Sequence, residues 1–401
     1  ILAQAYFLAR ASAPAPHVTL AQSCAGGSGM TQPVSNGKAR ARGRKAAKRA
    51  TFPYINSQII RVAEAGDPQM LVSTIEGYMP QMNLVNLSTA LHRLAKFAAT
   101  SQQFQNALLR HPVMEGLLTM TRAALSKSET GCAPPQCQAF SNITWSLATV
   151  QCVDLELLQI AARLSFRHVV SFKPFELSAS LWAFAKLHSL NPAACECAAP
   201  LFQVSAEHIP ANVEQFSFRC LVMIAWAFAT ARQHDERLFN GIASQMLSMV
   251  ATAQCQELAN AAWAFSTAGV RNDKMFNEIS RKALRQLSDF KPQELSNIMW
   301  AFAVIGFFRE DFFNAAARAA QTMDLQAQQL ANVLWALSRS RPRHRATAST
   351  VLYLLPNCTN LIQSFKPQEL ASVCLAAAKC FGRSAGEQPR PDGAQPPGRG
   401  C

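Results

Sequence analysis

Residues 290–307 read FKPQELSNIMWAFAVIGF, and close variants of this stretch recur along most of the chain. The clearest variants are ELSASLWAFA at 176–185, ELANAAWAFS at 257–266 and QLANVLWALS at 329–338. All six tryptophans occupy the same position of the repeat: Trp145, Trp182, Trp226, Trp263, Trp300 and Trp335. The steps between them are 37, 44, 37, 37 and 35 residues. Two weaker copies flank them, with His92 and Leu375 in place of tryptophan, so the sequence predicts an array of about eight repeats.

Each copy of the repeat predicts a pair of helices. In one copy Leu295, Met299 and Phe302 follow the spacing of a single helical face. A proline followed two residues later by glutamate marks the start of this first helix in three copies: Pro174/Glu176, Pro292/Glu294 and Pro367/Glu369. Proline is tolerated at the first helical position, and a carboxylate is favoured near the positive end of the helix.

A second helix is predicted to begin nine residues after the tryptophan position. That column holds strong N-cap residues in five copies: Ser101, Asp154, Asn191, Asp235 and Asn272. Arg309 and His344 interrupt the column. A two-helix unit of this size does not bury its apolar faces alone, whereas stacked units do. The predicted fold class is therefore all-α, an α-solenoid of about eight two-helix repeats with disordered termini.

The chain outside the repeats divides into three further segments. Residues 1–50 carry eight basic and no acidic side chains and resemble a disordered transit peptide. A nucleic-acid-binding arm, another targeting signal or an uninformative tail are the alternatives for this leader. Residues 51–81 are predicted to form an N-terminal cap region, and the array follows at 82–382. Residues 383–401 are rich in Pro and Gly, which is typical of a disordered tail.

Composition limits the classes of function. The formal net charge is +14, of which +8 lies in the leader and about +5 in the folded part, which is therefore only mildly basic. No run approaches 18 consecutive apolar residues, so no membrane span is expected. The sequence contains no C-x-x-C, no P-loop, no H-E-x-x-H and no G-x-S-x-G motif. We therefore expect no enzymatic activity, no metal or other cofactor and no small-molecule substrate.

The repeat resembles a known family. FKPQELSNIMWAFAVIGF and its variants at 172–187, 255–269 and 365–379 resemble the core of octotricopeptide repeats, Pro-Gln-Glu-Leu-Ala-Asn followed by Leu-Trp-Ala. The array is also similar to the helical repeats of FAST-kinase-like mitochondrial RNA proteins and of kinetoplastid RNA-editing substrate-binding complex subunits. This resemblance implies an organellar RNA-binding protein that acts in transcript processing, stability or translation. It implies the organellar matrix, with the mitochondrion favoured over the plastid.

The helical period suggests which side chains contact RNA. Counted from the tryptophan position, offsets −3, +1 and +4 are predicted to share one face of the first helix. Offset −3 is asparagine in four copies: Asn142, Asn260, Asn297 and Asn332. Offset +4 is basic in four copies: Lys96, Lys186, Arg339 and Lys379. Offset +1 is mostly alanine, which permits close approach of a base or of a neighbouring helix. We predict that these asparagines pair with base edges and that the basic residues lie near phosphates, with about one base read per repeat.

Each of these assignments has an alternative. A repeated asparagine also serves to cross-link adjacent repeats, and basic residues often form a solvated surface. The tryptophans are predicted to belong to the core. The whole array has two functional interpretations: sequence-selective capture of single-stranded organellar RNA, or a scaffold for protein partners within an organellar ribonucleoprotein complex.

Overall fold

A computed structural model describes residues 50–131, 134–340 and 345–381. These residues form 19 α-helices and six short 3₁₀ helices, and the described part contains no β-strand. The predicted all-α fold of stacked helical repeats is therefore confirmed. The predicted leader (apart from Ala50) and the predicted tail lie outside the described residues. The described chain divides into two compact units, with the boundary between Ser165 and Phe166.

Unit 1 contains the N-terminal cap region and the first repeats. Its helices are α1 (Phe52–Glu64), α2 (Pro68–Tyr78), α3 (Leu84–Thr100), α4 (Gln102–Arg110), α5 (Pro112–Thr130), α6 (Cys137–Val150) and most of α7 (Leu155–Arg167). Helix α3 packs against α1 on one side and against α6 on the other. Helices α3 and α6 carry the repeat motif, so the first two copies of the motif lie side by side.

Unit 2 is a two-layered stack. The first helices of its repeats are α8 (Pro174–His188), α11 (Phe218–Thr230), α13 (Cys255–Thr267), α15 (Pro292–Ile305), α17 (Ala327–Ser340) and α19 (Pro367–Phe381). The second helices are α10 (Ala199–Ala211), α12 (Glu236–Met249), α14 (Asp273–Arg285), α16 (Glu310–Gln321) and α18 (Arg345–Asn360), with the four-residue α9 (Ala193–Glu196) before α10. Within each layer every helix packs against the next one in the array. The additional helix α9 accounts for the single step of 44 residues between tryptophans.

The starts of the first helices are fixed by a recurring capping box. Helices α8, α15 and α19 begin at the predicted prolines. The backbone N–H of Lys291 donates a hydrogen bond to Oε2 of Glu294 at 3.0 Å, and the residues Lys173, Gln254 and Lys366 donate to glutamates in the same way at 3.1, 3.0 and 2.9 Å. This arrangement satisfies a backbone donor that the helix itself leaves unpaired, and a cap of this kind contributes about 1 kcal/mol.

Four of the five predicted N-caps of the second helices are confirmed, whereas Asn191 precedes the four-residue α9 and does not cap the second helix α10. Asp154, Asp235 and Asn272 accept a hydrogen bond from the backbone N–H three residues on, at 3.0, 2.7 and 3.0 Å. Ser101 does the same at 3.2 Å, and Asn191 accepts from the N–H two residues on, at 3.0 Å. Arg309, which interrupts the column, provides no side-chain cap for α16. His344 lies outside the described residues.

The two layers of unit 2 are joined by aromatic pairs. Phe228 of α11 lies edge-on to Phe202 of α10, with ring centroids 5.1 Å apart. The next repeat has the same arrangement for Phe265 with Phe239, also at 5.1 Å. All four rings are buried, and edge-to-face pairs add to the free energy gained from burying their area. The core therefore lies between the layers, and it leaves the opposite side of the first helices available to other contacts.

Candidate nucleic-acid interface

Three neighbouring first helices of unit 2 present the same three side chains at their surface. On α13, α15 and α17, glutamine, asparagine and tryptophan stand at offsets −7, −3 and 0, which is the spacing of one helical face. We call the nine residues the amide face: Gln256, Asn260, Trp263, Gln293, Asn297, Trp300, Gln328, Asn332 and Trp335. Each of them is half-buried or exposed. The predicted site residues Asn260, Asn297 and Asn332 are thus brought together on adjacent helices.

The alanines at offset +1 do not belong to this face. Ala183, Ala227, Ala264, Ala301 and Ala336 have no exposed surface. The expectation that offsets −3, +1 and +4 share one surface is therefore wrong at +1. The small side chain allows neighbouring first helices to approach closely, which is the packing alternative that the sequence left open. The tryptophan position, rather than the alanine position, borders the exposed side.

The tryptophan column is only partly core. Trp182 and Trp226 are 3% and 7% exposed, as predicted for core residues. Trp263, Trp300 and Trp335 are instead half-buried, which the sequence interpretation did not anticipate. Trp226 contacts Trp263 at a centroid distance of 6.2 Å, so a buried and a half-buried member of the column are in contact. The tryptophans of unit 2 therefore change from buried to half-buried between α11 and α13.

Hydrogen bonds connect two repeats across the amide face. Nε2 of Gln293 donates to Oδ1 of Asn297 at 2.8 Å, and Nε2 of Gln329 donates to Oε1 of Gln293 at 3.2 Å. The structural alternative thus applies to Asn297, whose carbonyl oxygen is held within this chain of amides. The side-chain amides of Asn260 and Asn332 have no intramolecular partner among the described residues. Their donors and acceptors remain available to a ligand.

Two predicted cations lie over tryptophan rings. Nζ of Lys186 lies 4.9 Å from the ring centroid of Trp182, and Cζ of Arg339 lies 5.7 Å from that of Trp335. Within the described residues, neither cation has a carboxylate at ion-pair distance. Burial lowers the pKa of Lys186 to about 8. An anionic ligand would supply the counter-charge that the protein does not.

Lys379 occupies the equivalent position in the last repeat, where the surroundings differ. It is half-buried on α19, and Leu375, which replaces tryptophan there, is 44% exposed. Gln368 and Ser372 stand at offsets −7 and −3 of this helix. Helix α19, the first helix of the last repeat, therefore has the glutamine of the amide face but neither its asparagine nor its indole.

The remaining two predicted residues, Lys96 and Asn142, belong to unit 1. Asn142 is half-buried on α6. Lys96 lies one turn from His92, which contacts Trp145 at a centroid distance of 4.9 Å. Burial, with the nearby charges of Lys96 and Arg93, lowers the pKa of His92 to about 4, so this ring is neutral at physiological pH. Burial also lowers the pKa of Lys96.

The glutamines at offset −7 were missed by the sequence interpretation. They precede the asparagines by four residues, one helical turn, so the spacing that identified the asparagines also identifies them. The same column holds Phe175 on α8, which is 47% exposed. Sequence alone did not reveal this column because its members lie in the capping segment, where glutamine has a local explanation.

Some basic residues of the second helices are engaged within the protein. Nζ of Lys282 donates to the carbonyl oxygen of Ala251 at 2.7 Å, and Arg281 pairs with Glu278. In unit 1, Arg163 pairs with Glu129 at 2.9 Å. The second layer thus has the ion pairing of an ordinary solvated surface.

The described residues were also compared with the requirements of a metal site and of a membrane-spanning helix. No group of three or more His, Cys, Asp or Glu side chains that could hold a metal ion is found in the described ranges. None of the helices in the described part of the chain combines the length and the apolar character that crossing a membrane requires.

The chain is similar to one protein family. Residues 208–341 match the family model of the RNA-editing substrate-binding complex 6 protein. The match covers about a third of the 401 residues and contains the whole amide face. No curated protein matches the chain. The match supports the relation to RNA-editing substrate-binding complex subunits that the repeat motifs indicated, while the similarity to octotricopeptide repeats is carried by the motifs.

Proposed function

We propose that this protein binds single-stranded RNA through the amide face of unit 2. The observation that carries the proposal is the side-by-side presentation of neutral amides and indole rings on α13, α15 and α17. Lys186 and Arg339, cations without a carboxylate partner in the described structure, lie in the same first-helix layer. Amides offer a donor and an acceptor to a base edge, indoles offer apolar area to a base plane, and cations attract phosphates.

The charge of the folded part agrees with this mode of binding. About +5 over residues 51–382 is modest for a protein that holds RNA by bulk charge. Contacts at a defined surface would then supply most of the affinity. This favours sequence-selective binding, with about one base per repeat, over non-specific attraction.

The family similarity supports a proposal about the cellular role. RNA-editing substrate binding is the role named for the matching family. We propose that this chain likewise acts on organellar transcripts, in a mitochondrion rather than a plastid, and in processing, stability or translation. We further propose that it is an octotricopeptide-type binding module without catalytic activity of its own, and that it has protein partners in a ribonucleoprotein complex.

Fluorescence polarisation with the full chain and a pool of labelled single-stranded RNAs tests the proposal. The test variant combines Lys186→Gln, Arg339→Gln and Lys379→Gln. The control variant combines Arg237→Gln, Arg285→Gln and Arg318→Gln, three exposed basic residues of the second layer. Both variants lose three charges, so the leader and the net charge affect them equally. We expect the test variant alone to weaken binding, and to reduce the slope of log K against log salt by about 2, since each phosphate contact contributes about 0.7.

Equal weakening in the two variants would show that bulk charge rather than the first helices binds RNA. Absence of RNA binding by the wild-type chain would refute the proposal itself. Each variant is also compared with the wild type by thermal unfolding, so that a loss of fold is not mistaken for a loss of contacts.

One observation favours a protein-binding role as the second candidate. The last helix pair of unit 2 exposes large apolar side chains, among them Leu352, Tyr353, Leu375 and Phe381 at 62%, 59%, 44% and 47%. Exposed apolar area of this kind is typical of interaction surfaces. If this role is correct, Leu352→Asp with Tyr353→Asp removes specific partners from cross-linked organelle extracts and leaves RNA binding unchanged. An unchanged partner set would remove the support for this candidate.

A further inference from the structure

The amide face repeats an identical set of groups three times in succession. Each of α13, α15 and α17 carries glutamine, asparagine and tryptophan at offsets −7, −3 and 0. The other first helices of unit 2 differ at these offsets. Helix α8 has Phe175 and Ala179 before its tryptophan, α11 has Arg219 and Met223, and α19 has serine and leucine in place of asparagine and tryptophan. Within unit 2 the identity is therefore confined to three neighbouring repeats. In unit 1, Gln138, Asn142 and Trp145 of α6 stand at the same offsets, but Trp145 is buried.

The exposure of the tryptophans changes at the same place. Trp182 and Trp226 are buried, whereas the tryptophans of the three identical repeats are half-buried. Ala179 and Met223, which replace asparagine on α8 and α11, are 2% and 0% exposed. Offsets −3 and 0, which are accessible on α13, α15 and α17, are thus buried on α8 and α11. Within unit 2, accessibility and identity therefore coincide, which a purely structural repeat does not require.

Ring contacts join two of the three half-buried tryptophans to each other, and the third to the buried tryptophan of α11. The rings of Trp300 and Trp335 lie 6.3 Å apart, and those of Trp226 and Trp263 lie 6.2 Å apart. Glutamine and asparagine stand at fixed offsets from the ring on each of the three helices, so each helix carries the same types of donor, acceptor and apolar side chain. The hydrogen bonds from Gln329 to Gln293 and from Gln293 to Asn297 hold two of these sets in register.

Given the proposed RNA binding, on which this inference rests, we propose that α13, α15 and α17 together bind a run of three identical bases in single-stranded RNA. In modular arrays one repeat reads one base with two or three side chains. Three equal sets of side chains then prefer three equal bases. The groups that distinguish the sets are neutral amides, which pair with base edges, whereas phosphates are bound by cations.

The experiment uses the full chain and single-stranded RNAs with fixed flanks and all 64 central trinucleotides. We expect one of the four homotrimers to bind most tightly. We expect each single mismatch within it to weaken binding roughly tenfold, the order of one base contact. A mixed trinucleotide at the top of the ranking, or equal affinity for all 64, would overturn the inference and leave RNA binding intact. Absence of binding to every RNA would overturn both this inference and the proposed function.

A middle-repeat variant tests the same inference without relying on the ranking alone. Asn297→Asp keeps the oxygen that accepts from Gln293 but replaces the amide donor with a second acceptor. We expect it to change the preferred base at the central position and to leave the two outer positions unchanged. Asn240→Asp, an exposed residue of the second-layer helix α12, makes the same charge change and should alter no position. A shift of all three positions, or of none, in Asn297→Asp contradicts one base per repeat in this segment.

Discussion

Helices α8 and α11 differ from α13, α15 and α17 in how far the tryptophan of the repeat is exposed. The first pair buries its tryptophans beneath alanine and methionine at offset −3, whereas the following three place asparagine there and leave the indole half-exposed. The packing alanines are buried in both groups, and the capping box of α8 recurs on α15. Within unit 2, the residue at offset −3 thus changes together with the exposure of the tryptophan.

The difference shows how a solenoid separates stability from recognition. The alanines at +1 and the phenylalanines at +2 are buried in every first helix from α8 to α15, so packing within and between layers is maintained. On α13, α15 and α17 the residues at offsets −7 and −3 are half-buried or exposed, so we expect substitutions there to leave the stack intact. Recognition residues can change there at little cost in stability.

The largest expected effect is the loss of stability when a buried or a half-buried tryptophan is replaced by alanine. Trp226→Ala should lower the free energy of unfolding by about 3–5 kcal/mol, the usual cost of removing a buried tryptophan. Trp300→Ala should cost about half as much, because the half-buried ring removes less apolar area from water. Urea unfolding followed by circular dichroism measures both. Equal losses would show that the half-exposed tryptophans are as much core residues as the others.

A smaller change in stability is expected when the residues at offset −3 are exchanged between the two groups of helices. Met223→Asn places an amide at a position without exposed surface and should cost about 2–4 kcal/mol through lost burial and an unpaired polar group. Asn260→Met, at a half-exposed position with no intramolecular partner in the described structure, should change stability by less than about 1 kcal/mol but weaken RNA binding. Comparable destabilisation by the two substitutions would mean that the two groups of repeats do not differ in accessibility.

Much of this fold is predictable from sequence because its signals are local. The proline–glutamate starts of α8, α15 and α19 and the caps Asp154, Asp235 and Asn272 require only a few neighbouring residues, and the structure shows them as predicted. The tryptophan period then gives the number of repeats. These features depend on backbone chemistry that is the same in any protein.

The exposed face was less predictable because it depends on neighbours that a single repeat does not reveal. A helical period groups the asparagines with the alanines at +1, but only the stacking of first helices determines that alanine faces the next helix. Ala264 and Ala301 are buried for that reason, while Trp263 and Trp300 reach the surface. The glutamine column was overlooked although it stands one turn from the asparagines.

The smallest expected effect is the pH dependence of RNA binding through Lys186, which lies on α8, one of the two helices of unit 2 with a buried tryptophan. Its pKa of about 8 implies that the protonated fraction falls from about nine-tenths at pH 7 to about one-quarter at pH 8.5. If this cation contacts a phosphate, RNA affinity should fall by no more than about fourfold over that range. Lys186→Arg should bind RNA with a flatter pH profile, because guanidinium keeps its proton throughout.

Stability should respond to pH in the opposite direction. The pKa of Lys186 in the folded chain is lower than its ordinary value of 10.5. Between these two values the unfolded chain binds more protons, so the contribution of this group to the free energy of unfolding rises with pH. The difference between wild type and Lys186→Gln in urea unfolding should therefore shift in favour of wild type as pH increases from 8 towards 10, while the difference in RNA affinity shrinks. If both differences moved in the same direction, Lys186 would be acting on RNA only through the stability of α8.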